Sequence, residues 1–172
     1  MGKLILIEGE NSSGKSRFAE SLVEKLPGKR LYIATMIAAT EENVERIQKH
    51  RAQRANLGFE TLELPYNVGN AEVRGGTVLL EDVSNLYANC IFEKGGSRES
   101  VFADIMKLKN NCKILFAVTI SGLSSSAYEG ETKAYIEGLN SLNASLKKEA
   151  AAAVHMELGR PEWIKGEEND IF

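Results

Sequence analysis

The chain is poor in cysteine, and it lacks a long apolar run. Its 172 residues include two cysteines, Cys90 and Cys112, which are too few for a disulfide framework and are expected to be reduced thiols in or near the core. The N-terminal apolar run is too short for a secretory signal, and no run approaches the ~20 residues that cross a bilayer. We therefore expect a cytoplasmic protein without a membrane span.

The chain also lacks a block of one charge sign. It carries 21 Lys and Arg residues against 24 Asp and Glu residues, for a formal net charge of −3. This balance does not indicate a nucleic-acid partner. The length and the hydrophobic content of 43% suit one domain with a buried core, which we expect at residues 1–165. The acidic residues 166–172 are expected to form a disordered tail.

What is present is an alternation of strand-like apolar runs with helical patterns, which predicts an α/β fold with a mostly parallel central sheet flanked by helices. The predicted strands are residues 4–8, 31–34, 77–81, 114–118 and 154–158, and residues 162–165 are expected to pair back as an antiparallel edge hairpin. The predicted helices are 15–26, 41–56 with Thr40 as its N-cap, one beginning at Val83, one capped by Ser97 or Ser100, and 131–150.

Residues 9–16 fit the phosphate-binding loop pattern G-x-x-x-x-G-K-[ST]. A predicted strand precedes them and a predicted helix follows, which favours phosphate binding over an ordinary turn rich in Gly and Ser. Lys15 would reach the β and γ phosphates, and the Ser16 hydroxyl would bind Mg²⁺, while backbone N–H groups face the phosphates. The predicted nucleotide-binding residues of this loop are Gly9, Glu10, Asn11, Ser12, Ser13, Gly14, Lys15 and Ser16.

Two acidic residues, Glu81 and Asp82, end the third predicted strand. In phosphate-loop enzymes, an acid at the end of a neighbouring core strand holds Mg²⁺ directly or through water. We expect Glu81 to contact the metal or the nucleotide and Asp82 to cap the helix that begins at Val83. A strand-end acid without a ligand is the simpler alternative for Glu81.

The segment 46–54 reads Arg-Ile-Gln-Lys-His-Arg-Ala-Gln-Arg. In a helix, Arg46, His50 and Arg54 share one face, so the imidazole lies between two guanidinium groups. A neutral imidazole is a competent nucleophile toward phosphorus, and the two guanidinium groups would neutralise the phosphates that it attacks. A solvated, charged helix face is the alternative that this pattern leaves open.

Together these motifs make the chain resemble the bifunctional adenosylcobinamide kinase / adenosylcobinamide-phosphate guanylyltransferase family of cobalamin biosynthesis. The likeness is clearest over residues 3–92. It includes the phosphate loop, the run 31–35, the basic segment 46–54 and the pattern Phe59-x-Thr61-x-Glu63. The basic segment is the most specific of these, because ordinary phosphate-loop proteins lack it.

The resemblance implies a RecA-like phosphate-loop fold, GTP or ATP as substrate with Mg²⁺, a corrinoid substrate, and a homo-oligomer that is a trimer. It implies that His50 is the residue that becomes guanylylated, with Lys15 as the second catalytic residue. The further nucleotide contacts that it implies are Ala34, Thr35, Met36, Arg51, Ala52, Gln53, Arg54, Glu63 and Glu81. Ser16 and Glu81 are the predicted metal ligands.

The chain departs from this family after the fourth predicted strand. Where the family carries an Asn-Glu-Val-Gly-type run, residues 119–123 read Thr-Ile-Ser-Gly-Leu and lead into a Ser-rich loop. This departure leaves two alternatives, a nucleotide-binding protein that has lost corrinoid chemistry and a kinase for a different small molecule. A signalling GTPase is not indicated, because the chain has no Asn-Lys-x-Asp motif.

Overall fold

A computed structural model describes residues 2–37 and 40–172. These residues form seven strands and five α-helices, with short 3₁₀ turns at Val68–Asn70 and Glu168–Asp170. In chain order the elements are β1 Lys3–Gly9, α1 Lys15–Glu24, β2 Arg30–Ala34, α2 Glu41–Ala55, β3 Phe59–Glu63, β4 Thr77–Glu81, α3 Val83–Lys94, α4 Arg98–Asn111, β5 Ile114–Ile120, α5 Gly130–Glu149, β6 Ala152–Glu157 and β7 Arg160–Lys165.

The strands form one sheet in the order β3-β2-β4-β5-β1-β6-β7. Every neighbouring pair is parallel except β6 and β7, which form an antiparallel hairpin at one edge. This confirms the predicted fold class. The parallel register aligns Gly9 with Ile120 and Glu81 with both Ala34 and Val118, so the carboxyl ends of the central strands meet at one edge of the sheet.

Helices bury both faces of the sheet. Along β1, Leu4 and Leu6 pack on the side of α3, α4 and α5, whereas Ile5 and Ile7 pack on the side of α1. Because both faces are covered, the central strands read as continuous apolar runs rather than alternating ones. None of the described helices is long and apolar enough to cross a membrane.

The structure adds a strand that the sequence pattern did not predict. Strand β3 lies at the sheet edge, and of its five residues only Phe59 is buried. A segment with so little apolar alternation carries a weak strand signal, because its main stabilisation is the backbone pairing with β2.

The end of the chain also differs from expectation. The structure packs the acidic segment 166–172 against the domain instead of showing a disordered tail. Ile171 is buried in the cluster that contains α1, the Lys25 ammonium lies 2.5 Å from the Glu168 carboxylate, and Lys3 Nζ donates to the Asp170 carbonyl at 2.8 Å. The acidic composition alone concealed the one apolar residue that anchors this segment.

Candidate nucleotide-binding site

Both motif glycines of the phosphate loop are required by the backbone that the loop adopts. Gly14 precedes α1 with φ of 91°, a left-handed conformation that favours glycine. A Cβ on Gly9 would lie 2.6 Å from the Met156 carbonyl oxygen. No side chain of the described residues caps α1. The amides of its first turn are therefore available to an anion.

Lys15 lies folded over this loop. Its side chain is largely buried, and its Nζ donates to the Glu10 carbonyl oxygen at 2.5 Å. Burial lowers the pKa of Lys15, and the nearby Asp82 and Glu81 carboxylates oppose that shift. A buried ammonium group that bonds a neutral carbonyl is suited to exchange that partner for a phosphate oxygen.

Asp82 caps α3, as predicted. Its Oδ1 accepts from the Asn85 backbone N–H at 2.6 Å and from the Ser84 hydroxyl at 2.8 Å. Burial raises the pKa of Asp82, and these two hydrogen bonds oppose the shift by stabilising the carboxylate. The Asp82 side chain therefore serves as the N-cap of α3.

Of the two carboxylate oxygens of Glu81, only one has a hydrogen-bond partner among the described residues. The Tyr32 hydroxyl donates to Glu81 Oε2, whereas the buried Oε1 has no hydrogen-bond partner among the described residues. Burial and the Glu81 carboxylate raise the pKa of Tyr32, so its hydroxyl stays protonated and remains a donor. An orphaned buried carboxylate oxygen is costly unless a ligand satisfies it.

Helix α2 forms the opposite wall. Thr40 caps it as predicted, with its hydroxyl oxygen accepting from the Asn43 backbone N–H at 3.2 Å. Arg54 is the only buried residue of α2, all of which the structure describes, and its guanidinium lies 3.5 Å from the centroid of the Tyr32 ring. His50 is exposed on this helix.

The two walls enclose a cavity of about 240 Å³ at the carboxyl edge of the sheet. His50 and the phosphate-loop residue Lys15 both line this cavity, although they are 35 positions apart in the chain (50 − 15). The residues that line the cavity are Asn11, Ser12, Lys15, Ser16, Tyr32, Ala34, Met36, Arg46, Ile47, His50, Arg54, Glu81, Asp82, Asn85, Val118 and Ile120.

A known protein family matches most of this chain. The family model described as cobinamide kinase / cobinamide phosphate guanyltransferase matches residues 5–164. The chain belongs to this family.

Individual relatives carry matching names. The bifunctional adenosylcobalamin biosynthesis protein CobU of Escherichia coli K12 is 34% identical over 100 residues, which are 56% of this chain and 54% of that protein. The match therefore spans about half the length of that relative. The bifunctional adenosylcobalamin biosynthesis protein CobP of Pseudomonas aeruginosa PAO1 is 28% identical over 171 residues, covering 94% of this chain and 97% of that protein.

A solved structure shows the same fold. An ATPase from the type III secretion system of pathogenic bacteria superposes with a TM-score of 0.55, covering 95% of this chain and 57% of that chain. At 10% sequence identity the likeness concerns the fold alone. It agrees with the phosphate-loop architecture predicted for this member of the cobinamide kinase / guanyltransferase family.

Several residues that the sequence predicted to contact the nucleotide do not line the cavity. Thr35 is fully buried behind it, where the Asp82 N–H donates to its hydroxyl oxygen at 2.9 Å and Asn89 Nδ2 donates to its carbonyl at 2.7 Å. Arg51 lies 3.8 Å from Glu63, with more than half of each side chain exposed. Ala52 and Gln53 are exposed on α2, and Gly9, Glu10, Ser13 and Gly14 belong to the loop without lining the cavity.

Tyr32 and Asn85 line the cavity although the sequence analysis did not select them as site residues. Tyr32 lies two residues before Ala34 in β2, so the two side chains share one face of the sheet. Applying that alternation to the predicted strand would have found Tyr32. Asn85 has no comparable signal, because its place depends on the cap that begins α3.

The predicted metal ligands fit Mg²⁺. Ser16 and Glu81 both line the cavity, and Glu81 Oε1 is the unpartnered carboxylate oxygen described above. Oxygen donors next to phosphates are the ligands that Mg²⁺ takes in such sites, with water completing the shell. The described residues contain no cluster of three or more His, Cys, Asp or Glu side chains arranged to hold a metal.

Proposed function

We propose that this protein phosphorylates adenosylcobinamide and then transfers a guanylyl group to the resulting phosphate, using GTP or ATP for the first step and GTP for the second. One observation carries this proposal: the exposed His50 and the phosphate-loop Lys15 line one cavity. Membership of the cobinamide kinase / guanyltransferase family supports it. The names of the relatives agree with both activities.

In the kinase step, the hydroxyl of the aminopropanol arm attacks the γ-phosphorus. The new P–O bond forms as the bond to the β-phosphate oxygen breaks, and the hydroxyl proton leaves to solvent. Lys15 exchanges its Glu10 carbonyl partner for phosphate oxygens and, with the amides at the start of α1, stabilises the developing charge. Ser16 and Glu81 would hold Mg²⁺, which neutralises phosphate charge when bound.

In the guanylyl step, a ring nitrogen of His50 attacks the α-phosphorus of GTP, and pyrophosphate leaves. A phosphate oxygen of adenosylcobinamide phosphate then attacks the same phosphorus, the P–N bond breaks, and the product is adenosylcobinamide-GDP. Arg46 and Arg54 line the cavity with His50 and would neutralise the phosphates. Covalent catalysis divides one difficult displacement into two.

The test is incubation with GTP labelled at the α or at the γ phosphate. We expect label that is acid-labile and base-stable from the α position only, and we expect none on His50→Ala. His155, the other histidine of the chain, is half-buried in β6, and His155→Ala is the matched control that should keep the label. Absence of label on the unmodified protein, or its survival in His50→Ala, would refute the guanylyl step.

The corrinoid acceptor and the trimer implied by the resemblance are part of the proposal. The divergent segment borders the phosphate loop: the Ser121 N–H donates to the Gly9 carbonyl at 3.0 Å, and a Cβ on Gly122 would lie 3.4 Å from the Glu10 side chain. An acceptor bound against this segment would lie beside the phosphate loop. Calorimetric titration with cobinamide tests the acceptor, and light scattering tests the trimer.

A further inference from the structure

The helix that carries His50 is attached to the domain through a single buried side chain. Arg54 is 4% exposed, and no other residue of α2, which is described in full, is buried. The apolar residues Val44 and Ile47 are exposed and half-buried, respectively. The position of His50 therefore depends on whatever holds Arg54.

The Tyr32 ring packs against the Arg54 guanidinium. The guanidinium lies 3.5 Å from the ring centroid, within the range of a strong cation–π contact, and Arg54 Nε has no hydrogen-bond partner among the described residues. The Phe59 ring meets the Tyr32 ring edge-on, with centroids 6.2 Å apart and planes at 87°. The ring is thus fixed between the arginine and the edge strand.

The same tyrosine holds the strand-end carboxylate. Its hydroxyl donates to Glu81 Oε2, while the buried Oε1 has no partner among the described residues and Glu81 as a whole lines the cavity. One side chain in β2 therefore touches both the helix that bears the nucleophile and the acid that faces the nucleotide. The ring acts on one and the hydroxyl on the other.

We propose that Tyr32 is a positioning residue that sets the place of His50 through Arg54 while its hydroxyl orients Glu81, an inference that rests on the proposed guanylyl transfer. The two tasks separate by substitution. Tyr32→Phe keeps the ring and removes the hydroxyl, whereas Tyr32→Leu removes both. Tyr135→Phe is a matched control, because it removes another tyrosine hydrogen bond, from its hydroxyl to the Ser84 carbonyl at 3.1 Å.

The first measurement is amide hydrogen exchange in residues 44–55 of the nucleotide-free protein, which requires no activity. Tyr32→Phe and Tyr135→Phe should exchange as the unmodified protein does, and Tyr32→Leu should exchange about tenfold faster in this segment only. Arg54→Met, which keeps Tyr32 and Glu81 in contact, should reproduce the faster exchange even if Tyr32→Leu folds poorly. Unchanged exchange in Arg54→Met would overturn the anchoring role.

The second measurement is the rate of each half-reaction. Tyr32→Phe should slow kinase and guanylyl transfer by similar factors, because both proposed steps use a triphosphate bound with the Mg²⁺ that Glu81 would hold. Tyr32→Leu should slow guanylylation of His50 by a further factor of about ten at saturating GTP, with the KM for GTP close to that of Tyr32→Phe. A purely structural role would reduce both reactions equally, and that result would overturn the proposal.

The two measurements also separate this inference from the proposed function. If the unmodified protein takes no guanylyl label while Arg54→Met still loosens α2, the proposed reaction is wrong and the anchor stands. If labelling occurs and α2 exchange does not respond to these substitutions, the proposed reaction stands and the positioning role of Tyr32 is wrong.

Discussion

The two walls of the cavity are built in opposite ways. The phosphate loop joins β1, which lies between β5 and β6 inside the sheet, to α1, which packs Ala19, Leu22 and Val23 into the core. Helix α2 instead leans on the edge strand β3 and buries only Arg54. We therefore expect the wall that contains the phosphate loop to be the more rigid one, and α2, which carries His50, to open more easily.

This contrast fits the two tasks. A triphosphate is stabilised best by donors that are already in place, because preorganised dipoles need no rearrangement during the reaction. In the proposed reaction, His50 approaches the α-phosphorus, carries the guanylyl group and releases it to an acceptor, so a weakly held helix suits it. Where the two walls meet, Tyr32 joins them through Arg54 and Glu81.

The largest predicted effect is a difference between the two walls in how much a core truncation lowers the free energy of unfolding. Leu6 is fully buried in β1, and Leu6→Ala should lower the free energy of unfolding by about 2–5 kcal/mol. Ile47 in α2 is half-buried, and Ile47→Ala should cost less than about 1 kcal/mol. Urea unfolding followed by circular dichroism measures both. Equal losses would show that α2 is as firmly packed as the sheet.

The second prediction concerns the contribution of the phosphate-loop wall to catalysis. Lys15→Ala should lower kcat by about 100- to 1,000-fold in both half-reactions, because both proposed steps use a triphosphate bound at the phosphate loop. Loss of one half-reaction alone would show that the two reactions do not share the phosphate loop. Lys133, exposed on α5, provides the matched control, and Lys133→Ala should behave as the unmodified protein in steady-state assays.

The smallest effect compares two helix caps. Thr40→Ala and Ser97→Ala each remove a side-chain cap worth about 1 kcal/mol, the first from α2 and the second from α4. Helix α4 buries Val101, Ile105 and Leu108, so Ser97→Ala should lower the Tm. Thr40→Ala should instead speed hydrogen exchange in 41–55 and leave the Tm almost unchanged. A lower Tm in Thr40→Ala would contradict the local attachment of α2.

Local pattern was enough for much of the fold. The phosphate loop, the caps Thr40 and Asp82, and the central strands all depend on residues close together in the chain, and each agrees with the structure. Local pattern did not predict strand β3 or the packed end of the chain. An edge strand and a segment with one buried isoleucine bury too little apolar surface to produce a periodic hydrophobic pattern.

The candidate site divides in the same way. Spacing on one helix face placed His50 near Arg46 and Arg54, and the three line the cavity. Local sequence did not indicate that Arg51 would lie beside Glu63 at the protein surface. It also did not indicate that the Thr35 hydroxyl would hydrogen-bond to the backbone at Asp82, behind the cavity wall. Those outcomes depend on which neighbour each side chain meets across the sheet.

Turn chemistry and periodicity act over a few residues, and local sequence was therefore sufficient to predict the phosphate loop, the five α-helices, every strand except β3, and the basic helix with its histidine. The folded arrangement of the sheet was needed to show that this helix faces the loop and that the Tyr32 hydroxyl bonds to Glu81, 49 positions away, while its ring contacts Arg54. Contacts of that kind arise when a parallel sheet brings distant strand ends to one edge, and no local pattern encodes them.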